Sequence, residues 1–269
     1  LDPENDRYLI NKAQAYLAMA QQSLNKVLAG DAASQGAFQS NLNAAIDSAR
    51  RAVTINPNDS GYWLTLGSIY ETAIPFIGGA DGFAAASYAE ATGREPLNPV
   101  PPTLLGRVYL TLADLIDLQV RQETITAKDA DALKKTALEN AKKNFEKAIG
   151  LKPDYAAALF LFAQVFVREG NIDEAISRGA QAALSAPRDV GVAFFLGFLF
   201  YQKSDLQNAE REFQRAIELN PNYSNAMYFL GLVYDRTDRK KAALEQFRRI
   251  FELNPENEEI RKIIENLDA

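Results

Sequence analysis

Residues 196–229 read LGFLFYQKSDLQNAEREFQRAIELNPNYSNAMYF, and residues 230–255 begin the same pattern again as LGLVYDRTDRKKAALEQFRRIFELNP. The two stretches restart 34 residues apart, at Leu196-Gly197 and Leu230-Gly231. The same step links Phe200 to Tyr234, Phe213 to Phe247, and Ala175 to Ala209 and Ala243. Prolines keep time with it, at Pro153, Pro187, Pro221 and Pro255. Two of them close the same phrase, Leu219-Asn220-Pro221 and Leu253-Asn254-Pro255, and Leu151-Lys152-Pro153 varies it by one residue. A fixed period of this length means one supersecondary unit repeated, with each unit burying its apolar face against the next.

The unit is a pair of helices. Apolar residues fall at helical spacing, as in Leu159, Phe162 and Phe166. Each proline cannot continue a helix and disfavours helix at the residue before it, so it sets the turn between repeats. Gly170 ends one helix, and Asn171 with Glu174 makes a capping-box-like start to the next. Asp205 and Asp238 stand where further second helices should begin and are expected caps. Gly or Ala on the first helix permits close approach, and the second-helix Ala is expected to admit the partner's aromatic ring. Glu139 with Lys143 and Glu245 with Arg249 are spaced as i,i+4 pairs on a solvated face.

The template extends upstream with insertions. Trp63, Leu66, Gly67 and Tyr70 have first-helix spacing, followed by Ala84, Tyr88, Ala91 and Pro96 five residues late. Leu105, Gly106 and Tyr109 are followed by Ala141, Phe145, Ala148 and Pro153, about 23 residues late. Ala45, Ala52 and Pro57 close a first hairpin. The expected divisions of one solenoid domain, 1–269, are 1–58, 59–98 and 99–154, the regular repeats 155–188, 189–222 and 223–256, and a polar capping helix at 257–269. In the first insertion, Pro75 should stop a helix and Asp81 should cap the next. Gly78, Gly79 and Gly82 lack the preceding strand and following Lys-Ser or Lys-Thr of a phosphate loop. The second should lengthen both arms of its hairpin, through Leu112, Leu115, Ile116 and Val120 on one arm and from Asp129 on the other.

This pattern resembles the tetratricopeptide repeat, with Trp, Leu, Gly and Tyr on the first helix and Ala, an aromatic, Ala and Pro on the second. The resemblance implies an all-α, right-handed α-solenoid of about six hairpins with a C-terminal cap. It also implies a non-catalytic scaffold that binds a protein or peptide, such as an amphipathic helix, along a concave first-helix groove. Carried over by register, the groove positions are Leu64, Ser68 and Glu71, then Thr103, Arg107 and Leu110, then Phe160, Gln164 and Val167. Phe194, Phe198 and Tyr201 follow, and Tyr228, Leu232 and Asp235 complete the set. Two arrangements of the aromatic members are open, an exposed floor or rings packed on neighbouring first helices. The family's carboxylate clamp for chaperone tails needs Lys and Asn where Leu64, Ser68, Thr103 and Phe160 stand, so that ligand is not expected.

A narrower resemblance rests on Asn56-Pro57, Tyr62-Trp63, Ile77-Gly78-Gly79-Ala80, Pro96-Leu97-Asn98-Pro99 and the ending around Ile260, Ile263, Ile264 and Leu267. These look like the C-terminal repeat regions of bacterial polytopic membrane proteins of the O-antigen ligase or polymerase class. That likeness implies association with a membrane-embedded part of the same chain, preceding Leu1. Leu1-Asp2-Pro3-Glu4 reads as a helix entry and the opening as an excerpt.

Composition narrows the function classes. The 269 residues contain no cysteine and no histidine, which removes disulfides, thiolate nucleophiles, the usual zinc ligands and the commonest neutral-pH base. No cofactor is expected. A net charge of -6 argues against nucleic acid as the main partner, and no apolar run is long enough to insert in a membrane. Asp114 and Asp117 lack a third ligand for a metal. Glu71, Arg107 and Asp235 are the residues a catalytic or sugar-binding solenoid would use, but no carboxylate pair is fixed beside a base or nucleophile.

Overall fold

A computed structural model describes residues 5–268, so the helix entry expected at 1–4 lies outside the described residues. Thirteen helices and no strand are found among those described. The chain divides into two compact units, Leu1–Pro153 and Asp154–Ala269, and the boundary falls where the regular spacing begins.

The first unit pairs α1 (Asp6–Leu28) with α2 (Ser34–Ile55), α3 (Ser60–Ala73) with α4 (Ala80–Arg94), and α5 (Val100–Arg121) with α6 (Ala127–Leu151). Its hairpins are unequal. The outer two have helices of 22 to 25 residues, the middle one 14 and 15. At about 1.5 Å per residue the long arms reach roughly 33 Å or more and the short ones about 22 Å. Pro75 follows the end of α3, as expected. Asp81 does not cap α4. Gly79 holds that position with φ of 79°, a left-handed conformation that a side chain would strain, and Asp81 lies in the first turn. The second insertion does extend both arms, but α6 starts before Asp129. Thr126 caps it, accepting from Asp129 N–H while its hydroxyl donates to the Asp129 carboxylate.

The second unit pairs α7 (Ala156–Arg168) with α8 (Ile172–Ser185), α9 (Val190–Gln202) with α10 (Leu206–Leu219), and α11 (Ser224–Arg236) with α12 (Lys240–Leu253). Helix α13 (Glu258–Asp268) closes the end on α12, burying Ile260. Asn171 and Asp205 cap α8 and α10 through their side chains. Asp238 does not cap α12: it takes φ of 58° in the turn, and Arg239 occupies the N-cap without a side-chain capping bond. Glu139 pairs with Lys135 rather than Lys143, and Arg249 reaches Gln246 and the Pro221 carbonyl instead of Glu245.

One contact recurs in both units. Gly67, Gly106, Gly197 and Gly231 each receive the flat face of a second-helix ring, from Tyr88, Phe145, Phe213 and Phe247. A Cβ on any of these glycines would lie 2.6 to 2.8 Å from the ring, inside van der Waals contact. The first-helix glycine therefore admits the ring. The fourth hairpin breaks the rule, with Ala163 on the first helix and Gly179 where the ring would be. Gly179 instead faces Leu196 and Leu199 of the next hairpin.

Candidate interaction surface

Most groove positions of the first unit are taken up by its own contacts. Glu71 on α3 accepts two bonds from Arg107 on α5, Nε to Oε1 at 2.6 Å and Nη2 to Oε2 at 2.8 Å. The Tyr88 hydroxyl on α4 donates to the same Oε2 at 2.7 Å. Three helices are thus pinned by one carboxylate, in a planar fork of the strong charge-assisted kind. Burial and then the Glu71 charge push the Tyr88 phenol far above its ordinary range, so it stays a donor. The Glu71 hydrogen bonds raise Arg107 further. Thr103 is buried with its hydroxyl donating to the Pro99 carbonyl, and Leu110 is buried as well. Ser68 and Leu64 remain half-buried. This carboxylate is a structural tie, and no group of three acidic residues able to hold a metal occurs among the described residues. Asp117 is bonded to Lys134.

The second unit differs. Phe160, Gln164, Phe194, Phe198, Tyr201, Tyr228 and Leu232 are all half-buried, and Asp235 is exposed. Their rings form a ladder. Phe160 meets Phe195 edge-on at 5.0 Å between centroids, and one repeat later Phe194 meets Phe229 at 5.8 Å. Phe229 also touches Phe198 at 5.3 Å, Tyr201 at 5.4 Å and Tyr228 at 5.6 Å. Edge-to-face contacts at these distances hold each ring's orientation. Arg236 lies over the Tyr201 ring at 4.4 Å. The hydroxyls of Tyr201 and Tyr228 and the side-chain amide of Gln164 have no partner among the described residues. The aromatic positions thus combine both expected arrangements, packed on the next first helix and still partly open.

Phe195 and Phe229 escaped the sequence reading. They are 34 residues apart and each precedes the Leu-Gly pair, so the period itself marked them. They lay between packing and groove positions in the template, and only the contact of successive first helices gives them a role.

Tetratricopeptide-repeat family models match residues 132–193 and 196–258. The chain contains tetratricopeptide repeats. Solved structures with the same fold include YrrB, a tetratricopeptide-repeat protein with an unusual peptide-binding site. It is 17% identical over 81% of this chain and 98% of its own, with a TM-score of 0.56. PilF of Pseudomonas aeruginosa is 14% identical over 94% of this chain and 96% of its own, at 0.57. MamA of Desulfovibrio magneticus RS-1 is 20% identical over 74% of this chain and 99% of its own, at 0.55. No curated protein sequence matches. At these identities the likeness concerns the fold, an all-α solenoid of helical hairpins. No helix among the described residues is long and apolar enough to cross a membrane.

Proposed function

We propose that this chain is a non-catalytic scaffold that holds a peptide or a helix of a partner protein against the first helices of its second unit. The observation that carries the reading is the ladder of half-buried rings at the groove positions of α7, α9 and α11. Aromatic side chains that are pre-oriented by their neighbours and only partly covered offer large contact area at small entropic cost. Gln164, Leu232 and Asp235 border the rings and set orientation more than affinity. Thr103, Glu71 and Arg107 contribute little to it, because burial or a mutual ion pair already occupies them. YrrB supports the reading by its fold and its peptide-binding site, through analogy alone.

Selection of peptides from an mRNA-displayed library on the whole chain tests this. A photo-crosslinker at Leu232 should label a selected peptide, while one at Gln207, exposed on a second helix, should not. Labelling from Gln207 alone would overturn the reading. The alternative, an accessory domain of a membrane-bound glycan-assembly protein, rests on the short motifs between Asn56 and Pro99 and on the ending around Ile260, Ile263, Ile264 and Leu267.

A further inference from the structure

The first unit carries a cavity that the ring ladder does not explain. It measures about 430 Å³ and lies between the tip of the α1–α2 hairpin and the loop after α3. Its floor is apolar. Phe38 and Leu42 of α2 are buried there, and Phe76 of the loop meets Phe38 edge-on at 4.6 Å. Phe76 nevertheless remains 49% exposed, so half its ring is open. Along one side run Gln35, Gln39 and Asn43, four residues apart on one face of α2. All three are solvent-exposed, and none of their side-chain amides has a hydrogen-bond partner among the described residues. None of the lining residues is charged.

The spacing of the amides selects a ligand. Four residues of helix advance about 6 Å. One edge of an extended strand presents an N–H and C=O pair every second residue, about 6.6 Å apart. A carboxamide has both donors and an acceptor, so each can serve one such peptide group. A helical ligand has already satisfied its backbone and gains nothing from the row. The alternate side chains of an extended segment point to one face, here onto Phe38, Leu42 and Phe76. A charged side chain there would lose water with no opposite charge to meet it. We infer that this cavity binds an extended, uncharged peptide segment, with Gln35, Gln39 and Asn43 reading its backbone and the apolar floor taking every second side chain.

The probe is an acetylated, amidated pentapeptide of alternating serine and leucine, titrated into the whole chain. The readout is the side-chain NH2 resonances of Gln35, Gln39 and Asn43 in 1H–15N spectra. Saturable shifts at these three signals are expected. Gln39→Leu keeps the surface apolar bulk and removes one amide, and should weaken binding about tenfold, the scale of one buried hydrogen bond. N-methylation of the peptide along one edge should do the same in the unaltered protein, which separates lost recognition from misfolding. Shifts confined to residues 160–235, no saturation at millimolar peptide, or saturation by decanol with none by peptide would each overturn the inference. The first of those outcomes leaves the ring-ladder reading standing.

Discussion

The two units use the same glycine–ring contact and build opposite surfaces from it. In Asp154–Ala269 the helices of each repeat are 13 or 14 residues long. Equal helices bring position 194 beside 229 as position 160 lies beside 195, and the rings form a ladder. In Leu1–Pro153 the hairpins alternate long, short, long. There the same groove positions carry Glu71 and Arg107, whose charges close on each other and on Tyr88. Regular length thus yields a repeated apolar face, while unequal length yields a tied groove and a cavity under an overhanging tip. The contrast teaches that the period and the side chains at groove positions act together. One sets which residues meet, the other whether they leave anything for a ligand.

The largest effect that could break this contrast is in the shared contact. Phe213 is fully buried against Gly197. Phe213→Ala should cost about 3–5 kcal/mol, read as a shift of the urea midpoint. A loss below 1 kcal/mol, a small fraction of that estimate, would mean that the ring does not organise the hairpin. Next is Gly231→Leu, which drives carbon into the Phe247 ring and should cost about 1–3 kcal/mol or more. A melting temperature equal to wild type would show the register of that hairpin to be wrong.

Tyr88→Phe is the smallest. It preserves the ring on Gly67 and deletes one charge-assisted bond, costing about 1–2 kcal/mol near neutral pH. The folded Tyr88 phenol is raised above the unfolded value of about 10. Its contribution is fully present below that value and is lost as pH rises, since the unfolded chain then releases a proton that the folded chain keeps. Alkaline stability curves of wild type should therefore fall more steeply above about pH 10 than those of Tyr88→Phe. Parallel curves would deny the phenol its place in the tie.

Much of this was legible in the chain. Pro153, Pro187, Pro221 and Pro255 gave the period, and the period gave the helix pairs and the close glycines. Helix starts were read where Asn171 and Asp205 stood, but missed at Asp238 and Asp81, because a capping residue type says nothing about whether the backbone enters the helix one residue earlier or later. The candidate site was legible as a set of positions and not as a set of surfaces. Burial of Thr103, the Glu71–Arg107–Tyr88 tie and the Phe229 hub each depend on contacts between hairpins, and a one-dimensional period carries no information on side-chain reach across them. The unpartnered row Gln35, Gln39 and Asn43 has helical spacing in the sequence, yet only the overhanging tip turns it into the side of a cavity.

On the proposed function, the rings of α9 and α11 are a binding surface before they are a core. Phe198 tests it most directly, being half-buried and in contact with Phe229 and Phe194. A peptide selected on the whole chain is titrated calorimetrically into wild type and Phe198→Ala, and both melting temperatures are recorded. A loss of about 2 kcal/mol or more in affinity with only a minor fall in melting temperature is expected. Unchanged affinity with a collapsed melting temperature would make the ring a core element and overturn the ring-ladder surface.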